Sequence, residues 1–188
     1  MNIVGISGTI TGSKTRIAMD YVMNRIHEQY PDAETILLDL KDLSIVFSDG
    51  RNYMDYEGDT KYVAEAIMAA DVLIIGTPTF QASIPGTLKN VFDLLPSNAF
   101  LGKVIGMVVT AGSPKHFLMS EQQLKPILAY MKATIVSTYV FIEEQDYHRK
   151  QIINDDVLFR LNDLVDDTVE TFQAMEIVRK KKEDAYGF

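Results

Sequence analysis

The sequence predicts a doubly wound α/β fold, and three observations carry that expectation. Five short runs rich in Val and Ile read as buried parallel strands: Asn2–Ile6, Thr35–Asp39, Val72–Gly76, Val104–Thr110 and Ile135–Ile142. Between them, apolar residues recur at three- and four-residue spacing, the period of a helix with one buried face. The loops after the first and third runs are both dense in hydroxyls and glycine. They lie at the carboxyl edge of the strands, where open α/β sheets take ligands.

In chain order, Ile17, Tyr21, Val22 and Ile26 form the stripe of the first helix, and Tyr62 to Ala70 a weaker second one. Ile84, Leu88, Val91, Phe92 and Leu95 mark the third, with Ser83 as its expected N-cap and Pro85 and Gly86 in its first turn. Leu124, Ile127, Leu128 and Met131 mark the fourth. The fifth is the clearest, with Val157, Leu158, Leu161, Leu164, Val165, Val169 and Phe172 in register. Right-handed crossovers place the helices on both faces of a five-stranded parallel sheet. The expected strand order is 2-1-3-4-5, the flavodoxin-like arrangement, with a ligand crevice between strands one and three.

A chain of 188 residues fits one domain, read here as 1–188, with a continuous core. The formal charge of -8 argues against a nucleic-acid surface or an anionic-membrane surface. Four consecutive cations, Arg179 to Lys182, read as a solvated helix end rather than as a nucleic-acid patch. There is no cysteine, which excludes disulfides, thiolate metal sites and thiol catalysis. No segment approaches the roughly 18 consecutive apolar residues of a membrane span. Met1 leads into a strand without a charged leader, so a cytoplasmic protein is the expectation.

The first loop, Ser7-Gly8-Thr9-Ile10-Thr11-Gly12-Ser13-Lys14-Thr15, comes close to the nucleotide pattern G-x-x-x-x-G-K-[ST]. Ser13 stands where the second glycine belongs, and the third strand ends in Gly76 without an acidic residue for magnesium. A nucleoside triphosphate is therefore disfavoured, and a single phosphate monoester fits better. Ser7, Thr9, Thr11, Ser13 and Thr15 are five hydroxyls within nine residues, more than a helix cap needs. A helix N-terminus adds free N–H groups, and Lys14 adds a positive charge.

The second loop, Pro78-Thr79-Phe80-Gln81-Ala82-Ser83, offers N–H groups, an amide and one aromatic face to the edge of a flat heterocycle. The third, Thr110-Ala111-Gly112-Ser113-Pro114-Lys115-His116, is built of small residues that permit close approach of a planar ligand. His116 is the one histidine on a ligand loop; His27 and His148 are not. The segment Ser44–Asp59 has neither period. With Phe47, Tyr53 and Tyr56 it reads equally as a ligand cover, a subunit contact, or an excursion packed on its own protein.

Together these pieces resemble the NAD(P)H-dependent FMN reductase family of flavodoxin-like flavoproteins. Ser7-Gly8-Thr9, Ser13 to Thr15 and the run Pro78 to Asp93 carry the likeness, which covers Met1 to about Ile142. Ala111 to His116 followed by Leu124-Lys125-Pro126-Ile127-Leu128 is most similar to the branch serving alkanesulfonate monooxygenases. Phe80 stands where many relatives have tyrosine, and Leu95 where tryptophan is common. Phe117–Gln123 lacks the tyrosine that this branch can carry at a tetramer interface.

The resemblance implies a reductase passing hydride from NADPH or NADH to FMN, then electrons to free flavin, a quinone or an azo-type acceptor. It implies Ser7, Thr9, Ser13, Lys14 and Thr15 on the FMN phosphate. Pro78, Thr79, Phe80, Gln81, Ala82, Ser83, Thr110, Ala111, Gly112 and Ser113 would line the ring, with His116 near the ring or the second substrate. No catalytic side chain and no metal ligand is implied. Lys89, Asn90 and Asp93 are read as packing residues of their helix. A homodimer or homotetramer follows, and a flavin-dependent monooxygenase partner. The alternatives are a flavodoxin-like carrier that binds FMN without pyridine-nucleotide turnover, and an FMN-binding or partner-binding module without turnover. Carriers usually flank the flavin with bulky aromatics including tryptophan, which this chain lacks.

Overall fold

The computed structural model describes residues 1–186, so the last two positions of the expected 1–188 domain lie outside the described residues. Four long parallel strands make most of the sheet: β1 (Asn2–Ser7), β2 (Glu34–Asp39), β3 (Val72–Pro78) and β4 (Val104–Ala111). The order is β2-β1-β3-β4-β5, as expected, and β5 (Thr134–Ile135) shares the last edge with β6 (Val140–Glu143). Five helices complete the layers: α1 (Lys14–Gln29), α2 (Gly58–Ala69), α3 (Gly86–Asp93), α4 (Lys125–Tyr130) and α5 (Asp155–Tyr186).

The strands are apolar on both faces because both faces are covered. Val4, Ile6, Leu73, Ile75, Ile105 and Met107 point to one side, packing with Val63, Ile67, Leu88, Phe92, Leu124 and Leu128 of the α2–α4 layer. Ile3, Val72, Ile74, Val104 and Val108 point to the other, against Val22 and Ile26 of α1 and Leu161, Leu164 and Val165 of α5. The α1 stripe is rotated from its expected centre. Ala18, Met19 and Met23 are buried with Val22 and Ile26, while Ile17 and Tyr21 sit at the margin.

Three expectations change. The single strand Ile135–Ile142 is interrupted, because Ile135 pairs with Ile105 and Val140 with Val108. Five steps along this edge match three along β4, so two residues bulge out, as edge strands tolerate. The third helix starts at Gly86 with Pro85 as N-cap. Ser83 is spent elsewhere, closing a tight turn with Phe80 through two 2.9 Å backbone bonds and donating its Oγ hydrogen to Gln123. A π-helical turn, Ser120–Leu124, precedes α4.

The Ser44–Asp59 segment is packed on its own protein, and its last two residues already belong to α2. Asn90 of α3 pins it, accepting from the Ser48 N–H at 2.9 Å and donating to the Val46 carbonyl at 2.9 Å. Tyr56 is buried and its hydroxyl donates to Asp49, whose carboxyl Arg51 holds well below the usual carboxylate range. Phe47, by contrast, is 83% exposed.

A short hairpin that the sequence pattern did not reveal, β7 (Tyr147–His148) with β8 (Gln151–Ile152), turns through Arg149 and Lys150. Both have positive φ, 46° and 64°. Side-chain-bearing residues pay for that conformation, whereas Asn-Gly adopts it readily. Arg149→Asn combined with Lys150→Gly is expected to stabilise by about 1 kcal/mol and raise Tm by roughly 2–4 °C in a thermal melt.

Candidate functional site

The carboxyl ends of β1, β3 and β4 converge on a cavity of about 390 Å³, within the range of roughly 300–1,000 Å³ usual for small-molecule sites. Thr11, Gly12, Ser13, Lys14 and Thr15 form one end. Pro78, Thr79 and Phe80 with Thr110, Ala111 and Gly112 form the other. This crevice sits where the strand order reverses, between β1 and β3.

The two ends are locked together by buried groups. The Gly8 N–H donates to the Gly76 carbonyl at 2.8 Å, joining the first loop to β3. The Thr79 N–H donates to the Thr110 carbonyl at 2.9 Å, joining the second loop to β4. Thr15 and Thr110 share a hydrogen bond at 2.8 Å between hydroxyls that are almost fully buried. That bond uses one hydroxyl hydrogen and leaves the other free to donate. Arg16 fixes α1 from outside the cavity, bonding Asp20 and Asp39 at 2.7 Å each, and those carboxylates raise its pKa further.

The first loop is shaped by its own side chains. Thr9 Oγ1 accepts from the Thr11 N–H at 3.2 Å and donates to the Thr11 carbonyl at 2.9 Å, so Thr9 sets the turn from a buried position. Gly12 has φ +79°, a left-handed value that a side chain rarely adopts. Ser13 precedes α1, yet its hydroxyl makes no cap bond, and the first helical turn carries no acidic residue. The helix N-terminus thus faces the cavity with its N–H groups uncapped by side chains.

Of the sixteen residues that the resemblance assigns to FMN, nine line the cavity: Ser13, Lys14, Thr15, Pro78, Thr79, Phe80, Thr110, Ala111 and Gly112, with Thr11 of the same hydroxyl-rich loop beside them. The others stand apart from it. Ser7 is fully buried at the end of β1 with no partner for its Oγ. Gln81 and Ala82 form the exposed tip of the Phe80–Ser83 turn, with positive φ of 48° and 59°. Such strain in side-chain-bearing residues tends to gather at functional loops. Ser113 accepts from the Lys115 N–H and begins a short 3₁₀ turn on which His116 sits, half-buried and outside the cavity lining. Lys89 and Asp93 pair with each other on the exposed face of α3 at 2.6 Å.

Two residues of this region escaped the sequence reading. Glu144 reaches Lys14, with Oε1 2.5 Å from Nζ. Tyr147 donates its hydroxyl hydrogen to the Lys14 carbonyl at 3.1 Å, and burial aided by Asp146 pushes its phenol well above the ordinary 10.0. A raised phenol contributes stability that is complete below the ordinary value and is lost as pH climbs from there toward the folded-state value. Tyr147→Phe is therefore expected to flatten the loss of stability between about pH 10 and 11, read from denaturant midpoints.

The cavity fits an aromatic mononucleotide. One end is lined by residues 11–15, with amides, hydroxyls and one ammonium of the kind that suit a phosphate. The other holds the Thr79 hydroxyl, buried without a partner, beside the half-exposed Phe80 ring. Among the described residues, no cluster of three or more His, Asp or Glu is placed to hold a metal ion, and no helix is long and apolar enough to cross a membrane.

The sequence profile of the family described as NADPH-dependent FMN reductase matches residues 1–147. The chain belongs to that family. As an FMN reductase family member it is an oxidoreductase that works with NAD(P)H and FMN. An NAD(P)H-dependent FAD/FMN reductase of Geobacillus thermodenitrificans (strain NG80-2) is 40% identical over 155 residues, 82% of this chain and 84% of that protein. An NADH-dependent FMN reductase of Pseudomonas fluorescens (strain Pf0-1) is 26% identical over 162 residues, 86% of each chain. Among solved structures, the apo form of NADH:FMN oxidoreductase (EMOB) superposes with a TM-score of 0.74 at 28% identity. The match covers 88% of this chain and 86% of that one.

Proposed function

We propose that this FMN reductase holds the FMN phosphate on residues 11–15 and the isoalloxazine ring against Pro78–Phe80 and Thr110–Gly112. The observation that carries the reading is the uncapped start of α1 opening into a cavity whose far end is lined by Pro78, Thr79 and Phe80 and by Thr110, Ala111 and Gly112. FMN, when bound, supplies the redox chemistry, taking hydride from NAD(P)H and passing electrons onward.

The chain's own residues bind and orient. The amides of the first loop and the α1 N-terminus take the phosphate oxygens, and Lys14 supplies the positive charge. Thr79 and the 41% exposed Phe80 ring would flank the flavin and help hold it in place. Gly112 carries no side chain, so its backbone N–H would be free to approach a bound ring closely and donate to it. The chemistry needs no side-chain nucleophile or general base.

Electrons then pass to free flavin, a quinone or an azo-type acceptor. We also infer that residues 1–188 act as one cytoplasmic domain within a homodimer or homotetramer, able to serve a flavin-dependent monooxygenase. An apolar groove between α3 and α4, lined by Phe92, Leu95, Ile127 and the 71% exposed Tyr130, supports self-association. Light scattering on a sizing column reads the assembly directly.

Anaerobic addition of NADPH, and separately NADH, to the protein with FMN tests the activity. Loss of flavin absorbance without an added reductase is expected, followed by turnover when an acceptor is supplied. Flavin that binds but stays oxidised with both nucleotides would instead favour the carrier.

A further inference from the structure

Lys14 is the only cationic residue lining the cavity among the described residues, and it is already paired. Glu144 holds its ammonium at 2.5 Å, although the two side chains are 39% and 69% exposed. Their pairing is long-range, 130 positions apart, and the geometry that presents Glu144 is built. It opens the 3₁₀ turn Glu144–Asp146 at the end of β6, and that turn is closed by a capping box between Glu143 and Asp146. Asp146 is buried, accepting from the Glu143 N–H at 2.8 Å and from Asn154 at 2.7 Å. Tyr147 then fastens the same segment to the Lys14 carbonyl.

The carboxylate's position decides what it does. A group that merely aimed Lys14 at a phosphate would stand behind the ammonium, away from the ligand. Glu144 stands at the rim: it is not itself among the lining residues, but it holds the one ammonium that is, and its Oε2 lies 3.8 Å from where a Cβ on Gly112, a lining residue, would be. A phosphate dianion reaching Lys14 must therefore displace this carboxylate, or share the ammonium with it at close range.

We propose that Glu144 is a built-in competitor for Lys14 that weakens the grip on the phosphate and so sets how readily FMN exchanges. The proposal rests on the phosphate-loop reading above. A ligand with the same ring and no phosphate does not compete for Lys14, so Glu144 tunes FMN against riboflavin rather than flavins in general.

The test is a flavin-fluorescence titration of the full chain with FMN and with riboflavin, using wild type, Glu144→Gln, Glu144→Asp and Lys14→Met, with circular dichroism confirming the fold of each. Glu144→Gln is expected to tighten FMN about ten- to thirtyfold, the scale of one unit charge removed roughly 4–6 Å from a dianion under water-like screening. Its FMN dissociation rate in stopped flow should fall in step. Riboflavin affinity should not change, and Glu144→Asp should restore FMN affinity toward the wild-type value. Unchanged or weaker FMN binding in Glu144→Gln would overturn the proposal, as would equal tightening of riboflavin. Failure of the underlying reading looks different: Lys14→Met would then leave FMN affinity intact, and wild type would bind FMN and riboflavin alike.

Discussion

Ser13→Asp is expected to separate flavin binding from folding. Aspartate is a favoured N-cap, and a negative charge there complements the helix dipole. Because the Ser13 hydroxyl makes no cap bond, the variant should melt at or slightly above the wild-type temperature. The same carboxylate would stand in the phosphate cradle. Even with water-like screening, a unit charge about 4 Å from a dianion costs about 2 kcal/mol, roughly 30-fold in affinity. Calorimetry with FMN is thus expected to show a loss of at least about 30-fold in an intact protein. If Ser13 were only the start of a helix, FMN binding would survive.

The second large effect is at Gly8→Ala. A Cβ there would sit 2.8 Å from the Gly76 carbonyl oxygen and 2.9 Å from Leu88 Cδ2. The nearer atom belongs to the β3 backbone and also accepts the Gly8 N–H, so it cannot turn away as a side-chain end would. The strands must separate or the first loop must lift. Either costs about 2 kcal/mol, in the middle of the range for overpacked interiors, and lowers Tm by roughly 4–8 °C. Lifting the loop also moves residues 11–15 away from Thr79 and Thr110, so FMN affinity should fall together with stability. An unchanged melting temperature would show that the joint is softer than its contacts imply.

These two variants report on different layers of legibility. The sheet was readable because strands buried on both faces must be continuously apolar, and the runs at Ile3, Val72 and Val104 leave little choice of register. The edge strand was not, because an edge can bulge by two residues near Tyr139 without exposing the core. The hairpin at Arg149 was hidden because its two-residue strands are too short for a period and its turn lacks the Asn-Gly signal.

The site divides in the same way. Ser13 to Thr15, Pro78 to Phe80 and Thr110 to Gly112 were legible because a hydroxyl- or glycine-rich loop after a buried strand has one address in this topology. Which hydroxyl-bearing residue lines the cavity was not legible. Thr9 satisfies its own turn, and Ser7 points into packed interior, a choice made by backbone geometry rather than residue type. Glu144 was missed because it meets Lys14 from the far end of the chain, and an isolated glutamate after a strand has no motif. Only its place at the carboxyl end of an edge strand, two strands from the crevice in sheet order, could have flagged it.

Phosphorus-31 NMR of FMN bound to the wild-type protein, followed from pH 8 down to pH 5, reads the cradle most directly. A free phosphate monoester passes from dianion to monoanion, taking up one proton, at about pH 6. Held by amides, hydroxyls and Lys14, the bound phosphate should keep its dianion resonance through that range, and EDTA should leave it unmoved. A bound resonance that titrates like free FMN would mean that residues 11–15 do not hold the phosphate.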